Sequence, residues 1–422
     1  MDPRGAVGSE SESPRVLVIH PMANFDHLRA FSYEMQFELE RLGCRAASID
    51  VGRPTSPALI ERALSDHRPD FIFSFNAAGC HFARPAGQRL ESEGCPWLTF
   101  MVDDPVFHQD WGPFLRRPHV VPLFGDPQSL LSAARLGVPA ERTHLVHAGG
   151  HLSPWVEDSE RIHDLLFVGT VHDPEEVRRG WSTILSPGAV RVAELVAESW
   201  APRVAEPVHG HLDAVLRALG VELPEEERKL VEPVILGNVI RYVKGLHRVQ
   251  IFRAFSDLPI SVYGSGFREL FPDSAFRFHP NVSFAQSQEE ICRSKIVLNA
   301  QTLAAHAAGE RALGALLNGA LLVTSESRFL AAELEAETDF VPFSLEPASM
   351  AHARERIAHF LANPEERTRV TRRVREKVRD RHTWAERASR VLTIARAHRA
   401  GKSGSVVPRP PADAPAALAE AG

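Results

Sequence analysis

Several side chains of types that do chemistry sit where apolar runs of this sequence give way to turns. The run PWLTFMV ends in Asp103 and Asp104, with Pro105 after them. An acid at the carboxyl end of a buried strand can take a proton from a hydroxyl or hydrogen-bond it. Asp before Pro can equally cap a helix beginning in PVFHQDW, and the spacing does not choose between the two. The run RVLVIH ends in His20, whose ring suits proton acceptance near neutrality, although with twenty histidines in the chain a lone one is more often structural or merely polar. Two further runs end in glycine turns: FVGT supplies Gly169 and Thr170, and VYGSGF supplies Gly264, Ser265 and Gly266. Such turns let backbone N–H groups approach a phosphate, or simply turn tightly. The segment KIVLNAQTLAAHAAGER brings His306, Glu310 and Arg311 to the start of a small-residue helix. A helix N-terminus is an anion site, Arg311 can reinforce it toward a diphosphate, and His306 or Glu310 can bond a sugar or ribose hydroxyl. On the other reading, Glu310 only complements the helix dipole and Arg311 pairs locally.

The better-known chemical motifs are missing. The first turn, HPMANFDHLRAF, has no GxGxxG; no GxxxxGK[ST], HExxH or GxSxG occurs anywhere. Dinucleotide, P-loop, metalloprotease and nucleophile-elbow chemistry therefore have no support, and no ligand spacing implies a metal. Four cysteines, Cys44, Cys80, Cys95 and Cys292, stand apart without a CxxC pair, as structural thiols in a reducing cytoplasm would.

The elements that must position these residues alternate. RVLVIH, RAASID, FIFSFN, PWLTFMV and HVVPLFG read as buried strands, with amphipathic helical patterns between or after them. A second series runs DLLFVGT, ISVYGSG, FRFHPNVSF (276–284), KIVLNAQ, ALLVTSES and DFVPFS, with helices expected near 288–294, 309–318, 328–336, 347–362, 364–380 and 383–399. Alternation of this kind predicts βαβ units, parallel sheets and ligand binding outside the carboxyl ends of the strands. The expected architecture is α/β: two facing Rossmann-like doubly wound domains, 14–155 and 156–382, with a helical insertion at about 174–256 in the second and a closing helix at 383–399. Residues 1–13 and 400–422 are low-complexity and expected to be disordered.

Composition narrows the class. A net charge of −6 and a pI near 6.4 argue against a nucleic-acid partner. No apolar run approaches 18 residues and the N-terminus lacks an apolar signal core, so a cytoplasmic protein is expected. Residues 364–399 carry twelve Lys or Arg against five acids, a solvated helical face or a peripheral contact with the inner face of a membrane.

Taken together, these segments resemble the CgeB-like (spore maturation protein B-like) glycosyltransferases of the GT-B class. Three pieces carry the resemblance. SKIVLNAQTLAAHAAGERALGALLNGALLVTSES has a strand ending in Leu-Asn, a loop, Gly309-Glu310-Arg311 and a helix ending in Gly-Ala before a strand. NPEERTRVTRRVREKVRDRHTWAERASRVL is similar to the family's closing segment at His382, Thr383, Trp384 and Arg387. FIFSFN and PWLTFMVDDP look like its strand pair ending in an acidic motif. The resemblance covers most of residues 70–395. It implies a glycosyltransferase moving a sugar from a nucleotide-diphosphate-sugar to a glycan, lipid-linked, cell-surface or protein acceptor, with no cofactor and no metal. Carried over, the donor contacts fall at Gly169, Thr170, Gly264, Ser265, Gly266, Asn299, His306, Gly309, Glu310 and Arg311. Asp104, with Asp103 or His20 as alternatives, lies near the acceptor hydroxyl. One departure stands out: where the family has a glutamate three residues after the arginine, this chain has Gly314, which cannot bond a ribose hydroxyl. Either Glu310 takes its place or the donor site is altered, and a non-catalytic nucleotide-sugar-binding or assembly protein is the alternative function.

Overall fold

The computed structural model describes residues 13–21, 27–51, 57–80, 89–107, 111–157, 159–301, 303 and 305–401. Most of the two termini expected to be disordered lies outside these residues. The first half opens with β1 (Arg15–Pro21), α1 (His27–Arg41), β2 (Arg45–Val51), α2 (Pro57–His67), β3 (Phe71–Phe75) and β4 (Trp97–Met101). It continues with α3 (Trp111–Leu115), β5 (Val120–Phe124), α4 (Pro127–Arg135) and β6 (His144–Leu145), a two-residue strand absent from the sequence-based expectation. The sheet order is β2-β1-β3-β4-β5-β6, with every pairing parallel. Its strands are apolar at consecutive positions because both faces are covered. Val16 and Val18 of β1 enter one core with Phe73, Phe75 and Phe100, while Leu17 and Ile19 enter the opposite core with Ile72 and Trp97.

The second half begins with β7 (His163–Val168). Four helices follow: α5 (Pro174–Ile184), α6 (Pro187–Trp200), α7 (Val208–Ala218) and α8 (Glu225–Ala254). Next come β8 (Ile260–Tyr263), α9 (Phe267–Leu270), β9 (Arg277–His279), α10 (Phe284–Cys292), β10 (Ser294–Asn299), α11 (Glu310–Leu317) and β11 (Leu321–Ser325). The chain closes with α12 (Arg328–Glu333), β12 (Val341–Phe343), α13 (Pro347–Ala362), α14 (Pro364–Val378) and α15 (Trp384–Arg399). The second sheet has the order β12-β11-β10-β7-β8-β9, again all parallel. The expected α/β architecture of two doubly wound halves is therefore present.

One element differs from expectation. The strand predicted over 276–284 is only three residues long, because Pro280 follows β9 and Ser283 with Gln286 forms a capping box that starts α10 at Phe284. Helices α5 to α8 build a core of their own around Trp181, Trp200, Leu236 and Val239, which also takes in Val106 from the first half. The C-terminal part of α8 leaves that core, and Ile251 and Phe252 pack against β7 and β8 residues of the second sheet. Helix α15 returns to the first half, where Trp384 is fully buried against Phe31, Phe75 and Phe100 at ring-centroid distances of 5.2, 5.5 and 5.7 Å. Among the described residues no helix is long and apolar enough to cross a membrane. The basic face of α14 is partly paired: Arg373 and Lys377 both meet the buried Asp339 carboxylate, and Arg375 meets Glu157.

Candidate functional site

The carboxyl ends of the two sheets border two cavities that meet at Glu310 and Arg311. The first, about 200 Å³, lies between the turns after β7 and β8 and the start of α10. Gly169, Thr170, Gly264, Glu310 and Arg311 line it, with Gln288 from α10. The second, about 300 Å³, is bounded by Asp103, Asp104 and Asp126 on one side and by Lys244, Arg248 and Asn299 on the other.

Tight packing of the β7 and β8 turns explains their glycines. A Cβ on Gly264 would lie 1.8 Å from the Gly169 carbonyl oxygen, and one on Gly266 (φ 84°) would lie 2.1 Å from that of Val171. Gly169 keeps space beside the Phe167 ring, over which the Arg311 guanidinium sits 5.4 Å from the centroid. Ser265 donates from its hydroxyl to Thr170 Oγ1 at 3.3 Å, so it ties the two turns together. Gly309 is the N-cap of α11; its N–H donates to Gln301 Oε1 at 2.9 Å, and a Cβ there would strike the Gln301 amide at 2.5 Å. Asn299 is buried at the end of β10, donating to Thr324 Oγ1 at 3.0 Å and accepting from Arg311 at 3.4 Å. It orients the arginine from below and presents little of itself to a ligand.

Two expected site residues point elsewhere. His20 is 1% exposed, with Nδ1 2.6 Å from Ser32 Oγ and Nε2 3.0 Å from Gln36 Oε1 on α1. Burial, only partly opposed by Gln36, lowers its pKa, and both ring nitrogens are already occupied. Helix α1 covers this end of the strand, so the expectation of a cleft base at His20 is corrected to a structural histidine. His306 turns to the Ala205 carbonyl oxygen, 3.0 Å from its Nε2, and joins the loop before α11 to the helical insertion. It is not among the residues that line either cavity.

Asp104 caps the turn that follows it and also borders the second cavity. Its Oδ1 accepts from the Val106 N–H at 3.1 Å, capping the turn Pro105–Phe107, while Oδ2 accepts from the Ser129 and Ser132 hydroxyls at 3.1 and 2.8 Å. Burial raises its pKa against those hydrogen bonds and the opposing influence of His209. Asp126, the N-cap of α4, is pushed up to about 7 by burial, against a hydrogen bond from Gln128 N–H and with the Asp104 charge adding to the rise. Asp103 accepts from Asn76 Nδ2 at 2.8 Å and stays exposed.

The opposite wall is cationic. Lys244 is open to the water of the cleft yet walled by protein; that desolvation, together with Arg248, brings its pKa down to about 8, with Asp103 opposing. Arg248 is brought down to about 9 by burial and by Arg311, with Glu310 opposing. It donates to the Thr170 and Ala300 carbonyl oxygens, the latter at 3.5 Å. Burial likewise lowers Arg311 against Glu310. Three cations thus crowd into one cleft opposite Asp103, Asp104, Asp126 and Glu310, and lowered pKa values of this kind cluster where a ligand binds. Among the described residues no group of three His, Cys, Asp or Glu side chains is placed to hold a metal ion.

Sequence reasoning missed Lys244, Arg248, Asp126, His209 and Gln288. The i,i+4 pair Lys244 and Arg248, in a helical stretch that is otherwise largely buried, was the available signal. Gln288 answers to Gly314: a Cβ on that glycine would sit 3.1 Å from Gln288 Oε1, so the missing side chain leaves room for an amide that lines the first cavity.

Comparison with known proteins adds the following. No curated protein sequence matches the chain. Residues 247–393, from the end of α8 into α15, match the family model described as glycosyl transferase-like. Sucrose-phosphate synthase from Thermosynechococcus elongatus is similar in structure, at 11% identity and a TM-score of 0.53 over 92% of this chain and 100% of that one. The catalytic domain of starch synthase IV from Arabidopsis thaliana, bound to ADP and acarbose, is similar at 9% identity and a TM-score of 0.53, over 92% and 99%. An α-glucosyltransferase in complex with UDP and DNA containing a HMU base is similar at 9% and 0.52, over 91% and 100%. The two-sheet α/β fold is that of GT-B glycosyltransferases, and residues 247–393 match the glycosyl transferase-like family model.

Proposed function

We propose that the protein is a metal-independent glycosyltransferase of the CgeB-like kind, which takes a sugar from a nucleoside-diphosphate-sugar and passes it to a hydroxyl of a glycan-type acceptor. The convergence of Lys244, Arg248 and Arg311 at the junction of the two cavities carries this reading. A diphosphate held there gains charge-assisted hydrogen bonds, and the same groups meet the charge that grows on it as it leaves. The α11 N-terminus adds its unpaired N–H groups. The first cavity takes the nucleoside, with Gln288 and Glu310 in reach of ribose hydroxyls. The second takes the acceptor, whose hydroxyl faces Asp104 as general base.

UDP and GDP, tested by thermal shift, are expected to stabilise the protein; at 100 times Kd the gain is about 2.7 kcal/mol. Arg311→Ala should weaken that binding at least ~100-fold, about 3 kcal/mol, with the fold intact. A melting temperature that no nucleoside diphosphate moves at millimolar concentration ends the reading. Gly314 favours a second one, a non-catalytic nucleotide-sugar-binding protein. Release of nucleoside diphosphate from a panel of nucleotide-sugars would exclude it.

A further inference from the structure

Behind Asp104 runs a continuous line of hydrogen bonds into the helical insertion. Ser132 Oγ lies 2.8 Å from Asp104 Oδ2 and 2.8 Å from His209 Nε2, and His209 Nδ1 lies 2.5 Å from Glu232 Oε1. The four residues come from β4's end, α4, α7 and α8. His209 and Glu232 are both buried, at 4% exposure each, and burial of this kind without partners is costly. Glu232 Oε2 accepts from Arg228 at 2.8 Å and from Arg135 at 3.5 Å, so this carboxyl is held ionised although burial works against it.

Counting hydrogens shows what the line can do. Its three links need three hydrogens. With Asp104 and Glu232 ionised and His209 neutral, Ser132 brings one and the imidazole brings one. The line is one proton short, and a proton taken up at Asp104 completes it. Two arrangements of the completed line are then equivalent in hydrogen count. In one, Asp104 is protonated and donates to Ser132, which donates to His209 Nε2. In the other, His209 is an imidazolium that donates to Ser132 and to Glu232, and Ser132 donates to an ionised Asp104. We infer that Ser132, His209 and Glu232 form a proton relay that restores Asp104 to its carboxylate after it has accepted the proton of the acceptor hydroxyl. The Asp104 O–H bond and the Ser132 O–H bond break as a new Ser132 O–H bond and the His209 Nε2–H bond form, and no other reactant is needed. A cavity of about 40 Å³ on the far side, lined by His209, Arg228 and Glu232, opens the end of the line to solvent.

The order Ser–His–Glu is also that of a nucleophilic triad, but Ser132 is bonded to the Asp104 carboxylate, whose charge would repel an oxyanion forming at that hydroxyl. Other charges face the line from both sides. Asp103, Asp126 and Lys244 stand on the cleft side. On the far side Arg135 and Arg228 are each paired with Asp213 as well as Glu232. Ser132, His209 and Glu232 position and recharge the base, and Ser132 and His209 also border the second cavity. The inference rests on the reading of Asp104 as the base.

The test is made on the full-length chain labelled with ¹³Cγ-aspartate and ¹⁵N-histidine, titrated by NMR from pH 4 to 9. The signals are assigned by their loss in Asp104→Asn and His209→Gln. Sites that share protons titrate together, so each signal should move in the same two macroscopic steps. Ser132→Ala should break this into one separate step for each, and Ser132→Thr should restore the shared behaviour. Glu232→Gln, a second variant of unchanged size, should shift the histidine steps and the aspartate steps together. Separate single steps in the unaltered protein, or shared steps that survive Ser132→Ala, overturn the relay. Thermal shift with UDP on the same samples separates the two readings. UDP binding with unlinked titrations removes the relay alone, whereas linked titrations without UDP binding remove the transferase reading and with it the relay's role in recharging a base, leaving only a line of shared protons.

Discussion

Asp126 shows how one side chain ties the cleft to the stability of the whole chain. Burial pushes its pKa in the folded protein up to about 7, well above the 3.8 of an ordinary aspartate. Between those values the folded chain holds a proton that the unfolded chain has released, so stability falls as pH rises through the window. Asp126→Asn removes the titration and keeps a helix cap of equal quality. The variant is expected to melt like the parent near pH 4 and to gain steadily on it up to pH 7, by on the order of 1–2 kcal/mol once cleft water has screened part of the effect. Melting curves across that range check it, and a gain that does not grow with pH would show that the carboxyl is ionised throughout. Little of this was visible beforehand. GDP after a strand reads as a turn or cap, and that is what Asp126 is, but only burial beside Asp104 makes it an acid that holds its proton. His20 teaches the converse: its position at a strand end invited a chemical role, and the helix packed over that end removed it.

At the scale of elements, the crossing near Gly149 and Gly150 decides how the two halves meet. There the chain leaving the first sheet passes between α11 and the start of α15, with the Gly150 N–H donating to the His382 carbonyl oxygen at 2.8 Å. A Cβ on Gly150 would lie 2.6 Å from Leu317 Cδ1 and 2.9 Å from the Leu313 carbonyl carbon, and one on Gly149 would lie 2.7 Å from the Trp384 nitrogen. Backbone cannot give way as a side-chain tip can. Gly150→Ala should therefore cost about 1–3 kcal/mol and lower the melting temperature by several degrees. An unchanged melting temperature would mean that α11 and α15 are free to separate. Most helices and strands could be read from apolar period and caps, and Pro347–Ala362 coincides with its expected range. The failures were local: β9 is cut short by Pro280 and the capping box at Ser283, and β6 is too brief to leave a pattern.

At the scale of the molecule, the insertion and the last helix both cross between the halves. The Ala205 carbonyl oxygen is held by Gln128 of the first half at 3.4 Å and by His306 of the second at 3.0 Å. Helix α8 begins in the insertion core and ends in the core of the second sheet, while α15 ends in that of the first. These shared elements tie the cores of the two halves together, so calorimetry should show one unfolding transition whose van't Hoff and calorimetric enthalpies agree. Two resolved transitions would contradict this. The sequence by itself determined the two parallel sheets, because doubly covered strands must be apolar at successive positions and their helices must carry a 3.6-residue stripe. It also placed the glycine turns at strand ends, where such sheets bind ligands, and Arg311 at a helix start. Only the tertiary structure decided the opposite wall of the cleft. Lys244 and Arg248 lie 67 and 63 residues before Arg311 in sequence, and His209 lies 105 residues after Asp104. Local periodicity carries no information across such distances; packing of the insertion against both halves is what brings these charges to one site.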